Sequence, residues 1–573
     1  MVVTWTEIPY EASLFPGIGF GPFLRSLGGR RRRPPSGGPE PSVRYHSGRA
    51  RILTLCQDLR AKRQSQVWHL DVGSSPPGAV VCSKGWAVRP LKRPPFSAVV
   101  MDLGLHNSIT KRQTFSGDSS CCNNEDRISN LPDAILSLIL SFLPTKDAVG
   151  TTILSKRWNY IWTSVKNLDF DSSSTLNRGC YDSYDEFLNS FLKFVERVLF
   201  FHDGRSIDKF HLSSRSEVCA IQFFTWVSAV VPCHLKELEV NSPVIRHADM
   251  PSTKYWQVDM PWSLFTCKTL TTLKLSGGSV LNLPTRVCLP ALKILHLNSV
   301  IYVDDVSIQK LISGCPVLED LDIERHEWDG VRVINISSPT LKRFSMQFFL
   351  YGYIERCSYK ISVSAPNLVY LKLADNMAVE YSLYDMPSLV EAQIGIYNDD
   401  SPGSLELLEE VTHVRVLQLS GKILEFMESD EDYEIPVFHN VARLELGANK
   451  QAGWDLLAEL LESTPNLEVL VFPRGLVKRK IGRKPYFEFE WYTPESVPGC
   501  LVLSLETIII HEFFGKNCEM DLVEYLLENA KVLKQMTIHF LYFKQQESCQ
   551  RKLLRCRRAS PACKLELILK DGF

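Results

Sequence analysis

Residues 290–297 read PALKILHL, and the last six, Leu292–Leu297, form the unit L-x-x-L-x-L. Alternate residues of an extended strand face opposite sides, so the apolar fourth and sixth positions share one face while the fifth position lies on the other. The same unit, with substitutions among apolar residues, recurs along most of the chain. It stands at Ile207–Leu212, Leu235–Val240, Leu270–Leu275, Leu318–Ile323, Leu341–Met346, Leu368–Leu373, Leu389–Ile394, Val414–Leu419, Val441–Leu446, Leu467–Phe472, Leu505–Ile510 and, more loosely, Leu533–Ile538.

The spacing of these units indicates a repeat architecture. Between Leu270 and Leu467 successive units start 21 to 27 residues apart. A period of about 20–29 residues is typical of leucine-rich repeats, in which each coil contributes one strand. A proline two residues before the unit, which ends the preceding helix or loop and admits the chain to a strand, supports this interpretation. Six units have it: Pro290, Pro316, Pro339, Pro366, Pro387 and Pro465.

The inward leucines of such a solenoid are scaffold, whereas its outward strand residues and edge loops are free to bind other molecules. The outward fifth position of the unit is therefore the first place to look for a binding surface. It is occupied by Glu239, Lys274, His296, Asp322, Lys372 and Gln418, among others.

A short helical module is predicted before the repeats. Leu131-Pro132-Asp133 is typical of a helix start, and Pro144 ends the first helix because the residue before a proline is pushed out of the α region. Thr145 is predicted to cap a second helix and Ser155 a third. One face of the first helix carries Leu131, Ile135, Leu138, Ile139 and Phe142, and most of the remaining surface carries Leu136, Leu140 and Leu143.

A helix that is apolar nearly all round needs cover on two sides. Its own bundle, with Trp158 and Trp162 on the third helix, supplies one side. Either the following domain or a partner protein supplies the other, and periodicity alone leaves these two alternatives open.

Residues 1–120 differ in composition from the rest of the chain. Residues 1–100 carry 15 Lys and Arg against 5 Asp and Glu, so the remainder carries 49 against 60. Many prolines and glycines interrupt every periodicity there, which predicts a disordered basic tail. Arg30–Arg33 is either a nuclear-import signal or a solvated basic run. A further interpretation is that translation starts at Met101.

The acidic remainder argues against nucleic acid as the main partner, since such affinity depends on clustered Lys and Arg. The sixteen cysteines form no C-x-x-C pair, which favours reduced thiols in an intracellular protein of the cytosol or nucleus. We expect no membrane span, metal, cofactor or catalytic residue, because no run of about 20 apolar residues and no catalytic or metal-binding motif stands in the chain.

Two segments resemble parts of one protein family. Asp126–Asp133 and Leu154–Trp158, continuing to Trp162 and Leu168-Asp169-Phe170, resemble the plant F-box motif. Leu522–Ala530 with Leu533–Ile538, followed by Arg558–Cys563, resembles the FBD domain that ends many plant F-box proteins. The order F-box, repeats, FBD covers roughly residues 126–570.

The resemblance implies an α/β protein with a small helical F-box module, a leucine-rich repeat solenoid and an FBD-like cap, behind a disordered tail. The expected ranges are 1–120 for the tail, 124–171 for the F-box, 205–496 for the repeats and 497–573 for the FBD-like region.

The resemblance also implies a function. The module would dock a Skp-type adaptor, and through it a cullin scaffold of a ubiquitin ligase, while the repeats bind an unknown protein substrate. The expected adaptor-binding residues are Leu131, Pro132, Ile135, Leu136, Ile139, Leu140, Leu143, Pro144, Leu154, Arg157, Trp158 and Trp162.

Two alternatives remain on the same scaffold. One is an interaction protein whose F-box no longer docks, and the other is a small-molecule co-receptor with a ligand pocket on the repeats. The Leu131-Pro132 and tryptophan pattern favours the ligase subunit over the first alternative.

Overall fold

The structure is a computed structural model. The residues that it describes are 128, 130–172, 184–214, 220–241, 258–326, 329–349, 359–376, 378–396, 405–429, 433–448, 455–476, 493–494, 496–541 and 546–569. The predicted disordered tail, residues 1–120, lies outside them.

The described helices fall into a short pair before the first strand and a series between later strands. The pair is α1 (Asp133–Leu140) and α2 (Thr145–Gly150), with 3-10 segments at Thr151–Ile153 and Ile161–Ser164; these four segments are called the helical module. The later ones are α3 (Tyr184–Phe201), α4 (Ala220–Val230), a 3-10 segment at Trp262–Thr266, α5 (Ser307–Ser313), α6 (Glu406–Glu410), α7 (Gly421–Ser429), α8 (Asp455–Glu462), α9 (Gly499–Leu503), α10 (Asn517–Asn529) and α11 (Gln546–Arg555).

The described strands are short and every observed pairing between them is parallel. They are β1 (Asn167–Asp171), β2 (Lys209–Ser213), β3 (Glu237–Asn241), β4 (Val258–Asp259), β5 (Thr272–Ser276), β6 (Ser279–Leu281), β7 (Ile294–Tyr302), β8 (Asp320–Arg325), β9 (Val333–Ser337), β10 (Arg343–Phe348), β11 (Tyr359–Ser364), β12 (Tyr370–Asp375), β13 (Ala378–Tyr384), β14 (Glu391–Ile396), β15 (Val416–Leu419), β16 (Arg443–Leu446), β17 (Val469–Phe472), β18 (Thr507–Phe513), β19 (Gln535–Phe540) and β20 (Lys564–Leu569).

One parallel ladder runs from β1 to β20 through a 17-stranded sheet, and each predicted L-x-x-L-x-L unit supplies one of its strands. Parallel strands need a crossover between them, and helices provide it in many of the coils. The inward residues of each strand, such as Leu295 and Leu297 of β7, are buried in one continuous core. The predicted α/β fold class, a helical module followed by a repeat solenoid, is confirmed.

A tight turn precedes many ladder strands. It explains why proline recurs at the same position of several repeats. In five of the proline-bearing units the first apolar residue donates its backbone N–H to the carbonyl three residues earlier, as Leu292 does to Leu289 O at 3.2 Å. The proline then occupies the second position of a β-turn, where its fixed φ is suited. The other four such donors are Leu318, Leu368, Leu389 and Leu467.

Strands replace helices opposite the middle of the ladder. β9, β11 and β13 form a separate three-stranded parallel sheet, and their apolar residues Ile336 and Val363 are buried. The L-x-x-L-x-L pattern did not predict these strands, because it marks only the ladder side of each coil.

A buried ion pair holds the two sheets together. The Arg325 guanidinium, at the end of β8, donates to both Asp329 oxygens at 2.8 Å and to Val331 O at 2.7 Å. It also lies over the rings of Phe348 and Tyr359, with its Cζ 4.5 Å and 4.2 Å from their centroids. The charge is therefore both paired and covered by aromatic faces.

Candidate docking surface

The helical module begins at a proline with extended backbone angles. Pro132 has φ −59° and ψ 148°, and its carbonyl accepts the N–H of Leu136 at 3.1 Å, so α1 starts at Asp133. Pro144 plays the same part for α2. Thr145 does not cap α2 as predicted; it is the first helical residue, and its hydroxyl accepts the N–H of Asp169 at 2.7 Å.

The segment predicted as a third helix is shorter than expected. Residues 156–160 form turns, and a 3-10 segment follows at Ile161–Ser164. The reason is that Tyr160 leaves the helical region of backbone space, with φ −121°. Trp158 and Trp162 are nevertheless both buried against the core.

The apolar residues of α1 divide into an inner and an outer face. Leu136 and Leu140 are buried, whereas Ile135, Leu138 and Ile139 are exposed, and so are Phe142 and Leu143 just after the helix. Phe142 is 81% exposed. Monomeric proteins rarely expose several large apolar side chains together, and where they do the patch commonly marks an interaction site.

Two more exposed apolar residues, Ile153 and Leu154, follow α2. These and the five exposed residues of α1 and its end are called the docking residues: Ile135, Leu138, Ile139, Phe142, Leu143, Ile153 and Leu154. Leu138, Phe142 and Ile153 were not among the expected adaptor-binding residues. The helical period had already placed Leu138 and Phe142 on the face of Ile135 and Ile139, so that signal was present in the sequence.

The other expected adaptor-binding residues lie in three settings. Leu136, Leu140, Trp158 and Trp162 are buried, so in this conformation their side chains support the module from inside. Pro132 and Pro144 are exposed next to the docking residues in sequence, and Leu131 is partly buried against the core.

Arg157 braces the start of α1. Its guanidinium donates to Asp133 Oδ1 through Nη2 at 2.7 Å and through Nε at 3.0 Å, and Nη2 also donates to Leu131 O. Both charged side chains are more than a third exposed, so the pair adds little stability on its own. Its effect is to hold the residues before α1 against the turns at residues 156–160.

The first strand of the ladder, β1, follows the module directly. The Phe170 side chain of β1 is fully buried, with its ring centroid 5.8 Å from Phe194 on α3 and 5.7 Å from Phe210 on β2. His202, after α3, places Nε2 2.8 Å from Val165 O. The segment Leu168–Phe170, recognised in the sequence as the end of the F-box motif, is thus also the first strand of the ladder.

A second surface, which is polar, lies on the outward side of the ladder and is called the ladder face. Strand register places Glu239, Lys274, His296 and Asp322 side by side on neighbouring strands. Ser345 then separates Asp322 from Lys372. The fifth positions predicted to face outward therefore form one row.

A histidine links three strands at the start of this row. His211 on β2 has Nδ1 2.5 Å from Asp169 Oδ1 on β1, and Nε2 3.9 Å from Glu239 Oε1 on β3. The hydrogen bond with Asp169 raises the pKa of His211, burial opposes that rise, and the nearby carboxylates add to it.

Two further properties concern the described residues only. Among them, no group of three or more His, Cys, Asp or Glu side chains is placed to hold a metal ion. In the same part of the chain, no helix is long and apolar enough to cross a membrane.

Known families match three consecutive parts of the chain. The F-box domain matches residues 128–170, which contain the docking residues. The family "FBD-associated F-box protein At5g56370, LRR repeats" matches residues 225–472, and the FBD family matches residues 493–538.

Relatives that match more than two thirds of the chain come from Arabidopsis thaliana. "F-box/FBD/LRR-repeat protein At4g26340" is 34% identical over 417 residues, covering 71% of this chain and 91% of that protein. "Putative F-box protein At1g58310" is 32% identical over 501 residues, covering 78% and 96%. "Putative F-box/FBD/LRR-repeat protein At3g59240" is 32% identical over 479 residues, covering 79% and 91%. The chain therefore belongs to the family of plant F-box/FBD/LRR-repeat proteins.

Proposed function

We propose that this protein is the substrate-recognition subunit of a Skp-cullin-F-box ubiquitin ligase. Its F-box docks a Skp-type adaptor, the adaptor joins it to the cullin, and the repeats hold a protein substrate. The observation that carries the proposal is the set of docking residues, which α1 and the end of α2 leave exposed although they are large and apolar. Covering them with a second protein removes that apolar surface from water.

The chain contributes no chemistry of its own under this proposal. A conjugating enzyme bound elsewhere on the scaffold carries the ubiquitin, and the F-box protein raises the local concentration of substrate lysines near it. The position of strand β1 suits this role. Because β1 follows the module directly and Phe170 packs it against α3 and β2, the adaptor and the substrate surface would be held in a defined relation.

The test is adaptor binding by a docking variant and a matched control. Ile139→Ala with Phe142→Ala truncates two docking residues, while Ile221→Ala with Phe224→Ala truncates the same residue types at the same spacing on the exposed side of α4. Burying such a side chain is worth about 1.5–3 kcal/mol, so the docking variant should bind a purified Skp-type adaptor roughly 100-fold more weakly.

The control pair should bind the adaptor as the unchanged protein does. Equal binding by both pairs would refute docking through these residues. Adaptor binding without ubiquitin transfer to any captured protein would instead favour the sequestering interaction protein.

A further inference from the structure

The ladder face is unevenly charged. On the first six ladder strands, β1, β2, β3, β5, β7 and β8, the outward positions carry many carboxylates: Asp169, Asp171, Glu237, Glu239, Asp320, Asp322 and Glu324. The same positions hold two lysines, Lys209 and Lys274. Further along, β17 to β19 present neutral side chains at the corresponding positions: Val469, Val471, Thr507, Ile509 and Thr537.

Some of these carboxylates already lie close to basic side chains. Asp320 Oδ1 lies 3.6 Å from His296 Nε2, and its Oδ2 lies 4.0 Å from Arg343 Nε. Glu237 lies 3.5 Å from the ammonium nitrogen of Lys209. Asp320 and Glu237 therefore already have basic side chains close to them.

The end of β8 is different. Asp322 Oδ1 and Asn298 Oδ1 are shielded from solvent and have no hydrogen-bond partner among the described residues. Strand register places Asn298 directly opposite Glu324, whose carboxyl is partly buried beside Asp322. Burial, and then the charge of Asp322, raise the pKa of Glu324, and the charge of Lys372 only partly opposes that rise.

Lys372 is the basic group that acts on this site from β12. It attracts both Asp322 and Glu324, but burial lowers its own pKa, and Ser345 of β10 lies between its strand and β8. The three groups Asn298, Asp322 and Glu324 therefore offer acceptors in excess of donors. An ammonium group brings three N–H donors and a guanidinium five, and neither brings an acceptor.

We propose that the ladder face from β1 to β8 docks a segment of the substrate protein that is rich in Lys and Arg, with one cationic side chain held by Asn298, Asp322 and Glu324. The inference rests on the proposed function, since it assigns a chemistry to the substrate of the repeats. The acidic positions span six strands about 4.8 Å apart, or roughly 24 Å, which is the length of about seven residues of extended chain. This extent fits a polypeptide segment better than a small cation.

The experiment measures peptide binding to the full chain in complex with its Skp-type adaptor. The probe is a fluorescein-labelled peptide of about twelve alternating Lys and Ser residues, long enough to span the acidic strands. Fluorescence anisotropy compares Glu239→Gln/Asp322→Asn/Glu324→Gln with Asp521→Asn/Glu524→Gln/Glu528→Gln. Both variants lose one Asp and two Glu carboxylates, but the second loses them from the exposed side of α10.

The ladder-face variant should bind the probe roughly 10-fold more weakly, since each exposed ion pair contributes modestly, while the α10 variant changes by less than about 2-fold. Equal losses in both variants, or no loss in the first, would overturn the inference. If the triple variant does not reach the melting temperature of the unchanged chain, Glu324→Gln alone is compared with Glu524→Gln. Adaptor retention, read on the same samples, tests the proposed function separately.

Discussion

The helical module and the ladder use their apolar side chains in opposite ways. In the ladder, neighbouring strands bury their inward apolar side chains, as Phe344 and Met346 of β10 and Leu371 of β12 do. In the module, a single helix buries Leu136 but leaves Leu138, two residues later, 55% exposed. The ladder buries its inward side chains in its own core, whereas the module leaves large apolar side chains exposed. Under the proposed function, hydrophobic burial drives folding in one region and association with the adaptor in the other.

The largest effect is expected from a truncation that exposes buried apolar side chains of the ladder, as those of the module are exposed. A chain ending at Val497 loses β18, β19 and β20, and exposes the edge of β17, whose Leu470 and Phe472 are fully buried in the whole chain. A terminal coil must cover the apolar edge of the coil before it, so we expect aggregation, measured by light scattering after size-exclusion chromatography.

A chain ending at Leu569 is the control for this truncation and should remain monomeric. If the chain ending at Val497 stays monomeric with an unchanged melting profile, and residues 498–573 fold alone, then the C-terminal region is a free domain rather than a cap.

Substitutions of two phenylalanines, one in β1 and one after α1, should distinguish an effect on folding from an effect on adaptor binding. Phe170→Ala empties a fully buried position between Phe194 and Phe210, so the free energy of unfolding should fall by about 3–5 kcal/mol. Phe142→Ala truncates a side chain that is 81% exposed and should change stability by less than about 0.5 kcal/mol. Chemical denaturation measures both.

Adaptor binding should show the reverse order. Phe142→Ala should weaken it, and Phe170→Ala, assayed below its melting temperature, should leave the docking residues intact. A large stability loss for Phe142→Ala would mean that the outer face of α1 belongs to the protein's own core.

The smallest effect concerns the His211–Asp169 contact, which joins β1, the strand that follows the module, to β2. Because its folded pKa is raised, His211 adds stability that is fully present below its unfolded pKa of about 6.5 and is lost as the pH rises through the folded value. The side chains are partly exposed, so the contribution should be only about 0.5 kcal/mol.

The measurement is the change in unfolding free energy between pH 6 and pH 8 for the unchanged chain and for Asp169→Asn. Other titrating groups contribute to both proteins, so the difference between the two changes isolates this contact. Identical pH dependence would show that the contact does not stabilise the pairing of β1 with β2.

Much of the fold was predictable because the repeat is a local pattern. A ladder strand is predicted from the alternation of apolar and outward residues alone. The unit from Leu292 to Leu297 shows that alternation within six residues, and so do the other units. The family relationship was likewise predictable from short consecutive motifs. β1 was predicted only as part of the F-box motif, because Leu168-Asp169-Phe170 has no full unit before it.

The division of the docking helix was not predictable in the same way. Periodicity placed Leu136 and Leu138 on different faces of the helix. It could not show which face turns inward, because a helix that is apolar on most of its surface presents the same hydrophobic pattern either way. That choice depends on where Trp158, Trp162 and β1 pack, which are contacts between segments distant along the chain.

The sequence by itself therefore determined the repeat, its strand positions and the family, since each depends on residues close together in the chain. Only the tertiary structure decided which side of α1 remains open, that strands β9, β11 and β13 replace helices in the middle coils, and that Asn298, Asp322 and Glu324 meet on the ladder face. These arrangements arise from packing and register between coils some 20 or more residues apart, and no single coil encodes them.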